Sequence, residues 1–285
     1  MSVPVLKLDR STGLSMIKGK VAGVKNELIV DTGSPWELLV PYETALKNKW
    51  IDGSEPQYDP RIVDRRAVRV NKEIDFEFGR CKLSFREVVA WDLEHFAGGT
   101  NCIVGIKFLN RFRFEFDFGS GELRLHARDS RPEFPKKAAA ISLQQIRNDA
   151  FLLRAAVGNV FGWFLWDTGA ETSALFQPAI EQINSKVAKS LKWQMPKEHT
   201  LTGGNSRITK DFVIPQVTLS GFAPGSKRIG LIYDDVTFNA IDFPLHQAGL
   251  EGSCGLPLMG LINDDIFGSE RVLYDPDYSC LWVVN

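Results

Sequence analysis

Cysteine is scarce in this chain: 285 residues carry four (Cys81, Cys102, Cys254 and Cys280), none in a C-x-x-C pair. A zinc ribbon or dithiol redox centre needs thiols at such close spacing, so neither is expected. The even count permits two disulfides, but the spacing identifies none. Histidine is as thin, with His95, His126, His199 and His246 isolated and without ligand spacing, so no metal and no cofactor is predicted. Neither charge prevails: 34 Lys and Arg against 35 Asp and Glu leave a net charge of −1, and no basic run stands out. That argues against nucleic acid as a partner. No apolar run approaches membrane-spanning length, and the first ten residues lack the basic and apolar segments of an export signal. The expectation is a cytoplasmic protein with reduced thiols and no membrane partner, export being the alternative. No Gly-x-Ser-x-Gly surrounds Ser34 or Ser173, so a serine nucleophile is not predicted. The adjacent carboxylates Asp234-Asp235 and Asp264-Asp265 read as solvated turns.

What the chain does have is 24 Gly, 19 Phe and many short apolar runs, the composition of β structure. One stretch occurs twice. Leu28-Ile29-Val30-Asp31-Thr32-Gly33-Ser34 is answered 136 residues later by Phe164-Leu165-Trp166-Asp167-Thr168-Gly169-Ala170. Each copy is an apolar run that reads as a buried strand, closed by a carboxylate and a Thr-Gly turn. Asp is depleted in strands, so a carboxylate in that place asks for a role. Two equivalent turns suggest one site on a pseudo-two-fold axis. Carboxylates brought together there cannot both ionise and would share a proton. One could then take a proton from water while the other donates to a carbonyl oxygen, which is acyl hydrolysis without metal or covalent intermediate. Gly33 and Gly169 let the backbone approach the carboxylates, and their N–H groups can donate to them. The Ser34 hydroxyl can donate to Asp31, whereas Ala170 offers Asp167 nothing similar. That difference predicts a raised carboxyl pKa and activity nearer neutral pH.

On these motifs the chain resembles the aspartic proteases, and the shared-proton dyad is the property by which that family is known. Two motifs in one chain resemble pepsin, while the short halves and the Asp-Thr-Gly-Ala of the second copy resemble retropepsins. The resemblance implies an all-β fold with a few short helices, in which two retropepsin-like β-barrel domains form a bilobal, pseudo-symmetric molecule. It divides the chain into an N-terminal lobe (1–127), a linker (128–140, with Pro132 and Pro135) and a C-terminal lobe (141–285). It makes Asp31 and Asp167 the catalytic pair and Thr32 and Thr168 cross-braces between the loops. It also calls for an apolar-apolar-Gly element beside each motif, found at Ile103-Val104-Gly105 and read in the second half at Leu258-Met259-Gly260. Asp117 follows Gly105 by 12 residues and Asp275 follows Gly260 by 15. A flap over the cleft is sought at Gly203-Gly204-Asn205, whose composition also suits an ordinary hairpin tip, and at Tyr58 in the polar stretch 52–66. Residues 178–191 read as one amphipathic helix started by Pro178.

The expected function is endopeptidase action on a peptide or protein substrate, general or confined to one processing site, with a monomer sufficient for the site. The alternative is a fold that binds a peptide or protein in its cleft without cutting it.

Overall fold

The computed structural model describes residues 3–52, 67–91, 102–130, 132, 138–146, 150–183, 185–200, 206–223, 227–241 and 255–284. Among them strands dominate, and the helices are short turns of four to six residues. Two hairpins lead to the repeated motifs. Met16–Val21 pairs with Val24–Asp31, and the two-residue turn Ala22-Gly23 has positive φ at both positions, 49° and 81°. That is the twist a tight hairpin requires. In the second half Phe151–Val157 pairs with Val160–Trp166.

Each incoming strand then lies parallel to a later one, with the outgoing strand antiparallel on its other side. Val24–Asp31 runs beside Cys102–Gly105, with Asp31 opposite Gly105, and Leu38–Pro41 packs on the far side. Val160–Trp166 runs beside Leu258–Ile262, flanked by Ser173–Phe176. Register corrects one expectation here. Trp166 lies opposite Ile262, so the residue matching Gly105 is Asn263, not Gly260. Asp275 follows Asn263 by 12 residues, the interval found between Gly105 and Asp117. Gly260 is glycine for another reason: a Cβ there would lie 2.0 Å from the Ala174 carbonyl oxygen.

The closing strands of the two halves form one antiparallel sheet. Its order is Val5–Asp9, Glu122–His126, Arg113–Asp117, Arg271–Asp275, Cys280–Val284, Ala139–Gln145, and Ala139–Gln145 begins inside the stretch read as linker. At its centre Phe116 faces Val272, one residue from each half. Alternation along Arg113–Asp117 sends Phe114 and Phe116 to the core, where both rings lie 6.1 Å from Trp166. Trp166 is the residue before Asp167, so the sheet supports the second motif from beneath.

The expected helix over 178–191 is instead two, Gln177–Gln182 and Ser185–Ser190. Ile183 is extended (ψ 115°), and the Gln182 carbonyl accepts from Asn159 Nδ2 (2.7 Å) in place of a helical N–H. Lys192–Thr200 and Ser206–Ala223 form the hairpin expected around Gly203-Gly204-Asn205. Those three residues lie outside the described residues, as does Tyr58. Among the described residues no helix is long and apolar enough to cross a membrane.

Candidate active site

Leu28 to Val30 and Phe164 to Trp166 are buried, which anchors both motifs in the core and leaves only their turns at the cleft. Period-two alternation sends Leu28, Val30, Phe164 and Trp166 into the main core, and puts Ile29 and Leu165 on the carboxylates' side. There each heads a smaller apolar cluster. Ile29 joins Met16, Ile103 and Trp91 beside Trp36, while Leu165 joins Leu152, Leu261 and Ala174 beside Trp163 and Ala170.

The carboxyls of Asp31 and Asp167 hydrogen-bond to one another. Each also lies over the other loop's glycine. A Cβ on Gly33 would be 2.7 Å from Asp167 Cγ, and one on Gly169 would be 2.3 Å from Asp31 Cγ. No side chain fits at either position, which is why the motif needs glycine. The backbone N–H groups of Gly33 and Ser34 donate to Asp31 Oδ1 (2.8 and 2.9 Å), and that of Gly169 donates to Asp167 Oδ1 (3.0 Å). Both threonines are fully buried and bonded reciprocally. The N–H of Thr32 donates to Thr168 Oγ1 and that of Thr168 to Thr32 Oγ1, each at 3.1 Å. The Thr32 hydroxyl donates to the Trp166 carbonyl (2.8 Å) and the Thr168 hydroxyl to the Val30 carbonyl (2.6 Å). Each threonine thereby grips the strand that carries the opposite carboxylate.

Burial raises the pKa of both carboxyls, and Asp167 goes well above the ordinary value because the negative Asp31 faces it. The two carboxyls therefore titrate as one coupled pair, each stabilised by the backbone N–H groups of its own turn, Gly33 and Ser34 for Asp31 and Gly169 and Ala170 for Asp167. The Ser34 hydroxyl, expected to donate to Asp31, does not. Ser34 Oγ is buried without a hydrogen-bond partner, and it is the Ser34 backbone N–H that serves Asp31.

Behind the pair lies a group that sequence reasoning passed over. Asp264, expected to be solvated, is fully buried. It accepts from Ser15 Oγ (2.5 Å) and lies 3.7 Å from Arg10 Nε, while burial pushes its pKa to about 6. The Ser15 carbonyl in turn accepts from the Val30 N–H (2.8 Å), one residue before Asp31. On the other side Asn263 donates through Nδ2 to the Ala170 carbonyl and through its N–H to Ser173 Oγ. The adjoining pair Asn263-Asp264 thus joins the backs of both loops. Its neighbour Asp265 is exposed, as expected. Among the described residues no group of three His, Cys, Asp or Glu could hold a metal ion, and Cys81, Cys102 and Cys280 are free thiols.

No protein-family model matches the chain, and no curated protein matches it. Among solved structures it is similar to basic 7S globulin from soybean, over 99% of this chain and 94% of that one, at 10% identity and a TM-score of 0.54. That likeness concerns the fold, which is all-β and pepsin-like. Lower-scoring similarities are to edgp (11% identity, 99% and 94% coverage, TM-score 0.49) and to a retropepsin-like aspartic protease from Rickettsia conorii. The latter has 21% identity, covers 44% of this chain and 90% of the other, and has a TM-score of 0.32.

Proposed function

We propose that the chain is an aspartic endopeptidase. The observation that carries this reading is the reciprocal threonine brace, which holds two carboxyls in mutual contact over each other's glycine. A fold that only binds peptides has no need of that precision. Ionised Asp31 takes a proton from a water lying between the carboxyls as the water oxygen attacks the peptide carbonyl carbon. Protonated Asp167 gives its proton to the carbonyl oxygen, forming a neutral gem-diol. Collapse then breaks the C–N bond. The departing nitrogen takes the proton held by Asp31, and one diol hydroxyl returns its proton to Asp167, restoring the pair.

The test is cleavage of a mixed peptide library between pH 3 and 8 by the wild type, Asp31→Asn and Asp167→Asn. Each substitution removes the acid–base pair and is expected to lower the rate by at least about a hundredfold, with a statine peptide inhibiting the wild type. Cleavage that survives both substitutions refutes the reading. A folded wild type that binds the statine peptide yet cleaves nothing would make the chain a peptide-binding member of the fold.

A further inference from the structure

The two halves build one stretch of sheet from opposite kinds of residue. In the first half a row across four strands is charged throughout: Lys25 pairs with Lys20, Lys20 with Glu77, and Glu77 with Lys82. Counted back from the second carboxylate and across the same pairings, the matching row is Phe161, Ala156, Thr218 and Ile232. Charge is gone from every position. Yet the row is not covered, and Phe161 and Ile232 keep 57% and 58% of their surface in solvent. Val160, Ala155, Val217 and Leu231, each next to one of these residues in sequence, belong to the main core or pack on it. Alternation therefore puts the whole row on the outer face of the sheet.

Two charged residues flank the row. Arg154 stands two residues before Ala156, its guanidinium carbon 4.7 Å from the ring centre of Trp163 and 5.8 Å from that of Phe161. Asp234 stands two residues after Ile232 and is exposed. The strands Phe151–Val157 and Lys227–Ile241 both run antiparallel to Ser206–Ala223, so these two residues lie on opposite sides of the row. Among the described residues neither has an opposite charge within ion-pair distance. In the first half, Lys18 and Glu27 match Arg154 and Trp163, and they neutralise each other at 2.9 Å, as Lys82 and Glu77 do at 2.7 Å.

We propose that this face of the second half is the interface of a homodimer. It is complementary to itself: an uncharged strip with a free cation on one flank and a free anion on the other. Thr218 lies midway between Arg154 and Asp234 on the sheet. A two-fold axis in the contact plane through Thr218 sets Arg154 of each copy against Asp234 of the other. The rings engage the face of the guanidinium and leave its N–H edges to take that carboxylate at two points. The same contact covers Phe161 and Ile232, and the small Ala156 and Thr218 let the two sheets approach. The buried pair Leu152–Leu165 separates this face from Asp167, so the inference stands apart from the protease reading.

Sedimentation velocity over a concentration series tests it, with the full-length wild type, Arg154→Glu, Asp234→Arg and an equimolar mixture of the two variants. The wild type is expected to move from 31.9 kDa toward twice that mass as concentration rises. Each variant alone sets like charges together at both contacts and should raise the dissociation constant at least about a hundredfold. Mixed, the variants restore opposite charges at both contacts, and a heterodimer should form with the strength of the wild type. A wild type that stays at 31.9 kDa at every concentration overturns the proposal. So does a dimer that both variants keep. A mixture that stays monomeric, from variants whose circular dichroism matches the wild type, overturns it as well.

Discussion

Burial keeps the proton on Asp264 until about pH 6, whereas an unfolded chain releases it near the ordinary value of 3.8. Between those values the folded state holds more protons than the unfolded one, so the contribution of this group to stability falls as pH rises. Two pKa units correspond to about 3 kcal/mol. Asp264→Asn has no proton to lose, and Asn can still accept from Ser15. Urea denaturation of both proteins at pH 4, 5, 6 and 7 should therefore show their stability difference moving by about that amount in favour of the variant. A difference constant with pH would mean that Arg10 keeps Asp264 ionised throughout. On the protease reading, the Asp31–Asp167 pair sets the activity profile in the same way. Activity needs one proton on the pair, both carboxyls titrate above the ordinary value, and Asp167 does so by the larger margin. The kcat/KM profile should peak above pH 4 and extend toward neutrality, and a peak below pH 4 would contradict the raised values. The brace between the loops is as testable. Thr168→Val strips a donor from the Val30 carbonyl and an acceptor from the Thr32 N–H, both buried. A stability loss of about 1–3 kcal/mol is expected. If the brace positions the carboxyls, kcat falls about a hundredfold while KM changes little.

At the level of elements, the two halves use different chemistry for one task. Beside Asp31, Gly105 packs so closely that a Cβ would lie 2.2 Å from the Trp36 carbonyl oxygen, and the Ile106 N–H donates to the Ser34 carbonyl (2.9 Å). Beside Asp167, the Asn263 side chain reaches the equivalent Ala170 carbonyl and also caps the short helix Asp264–Phe267 by accepting from the Asp265 N–H (2.7 Å). Asn263→Gly should thus cost about 1–2 kcal/mol through the lost amide bonds. Gly260→Ala should be much worse, since its methyl meets backbone that cannot yield. Thermal unfolding of the two variants ranks them, and the reverse order would remove the assignment of Asn263 as the counterpart of Gly105. The same residues show what was legible in the sequence. Both Asp-Thr-Gly turns and their strands could be read because period and motif are local. Asn263 could not, because an amide there stands in for a glycine, although the unequal intervals of 12 and 15 marked the misplacement. The burial of Asp264 was hidden for another reason: its partner Ser15 is 249 residues away in the chain. Arg-x-x-x-Asp, present in both Arg113–Asp117 and Arg271–Asp275, was a readable repeat. The antiparallel crossing of those strands turns it into the Arg113–Asp275 ion pair (2.6 Å) and the longer Arg271–Asp117 contact (3.9 Å).

On the scale of the whole molecule, the division into lobes 1–127 and 141–285 follows chain order, and the closing sheet and main core run across it. The central strands of the shared sheet come one from each half, and the main core draws residues from both. Phe114 belongs to the first half, yet its ring stacks on Tyr274 (4.9 Å) and Trp166 of the second. A fragment ending at residue 127 would leave Phe114 and Phe116 without those partners, and the strand Arg113–Asp117 would become an open edge. The two lobes are therefore expected to unfold together: one calorimetric transition, with calorimetric and van't Hoff enthalpies equal. Phe114→Ala sharpens the test, because it removes a fully buried ring at the junction and should cost about 3–5 kcal/mol. If the sheet couples the lobes, the single transition moves to lower temperature and stays single. If each lobe stands alone, the same substitution lowers the first lobe only and splits the trace in two. The answer bears on the proposed function as well, since the threonine brace joins the lobes at the Asp31–Asp167 pair. Were the lobes to separate reversibly, activity would be lost with the weaker one; coupled, it persists until the whole molecule melts. Residual cleavage followed against temperature beside the calorimetric trace distinguishes the two, and coincidence of their midpoints is the outcome this architecture requires.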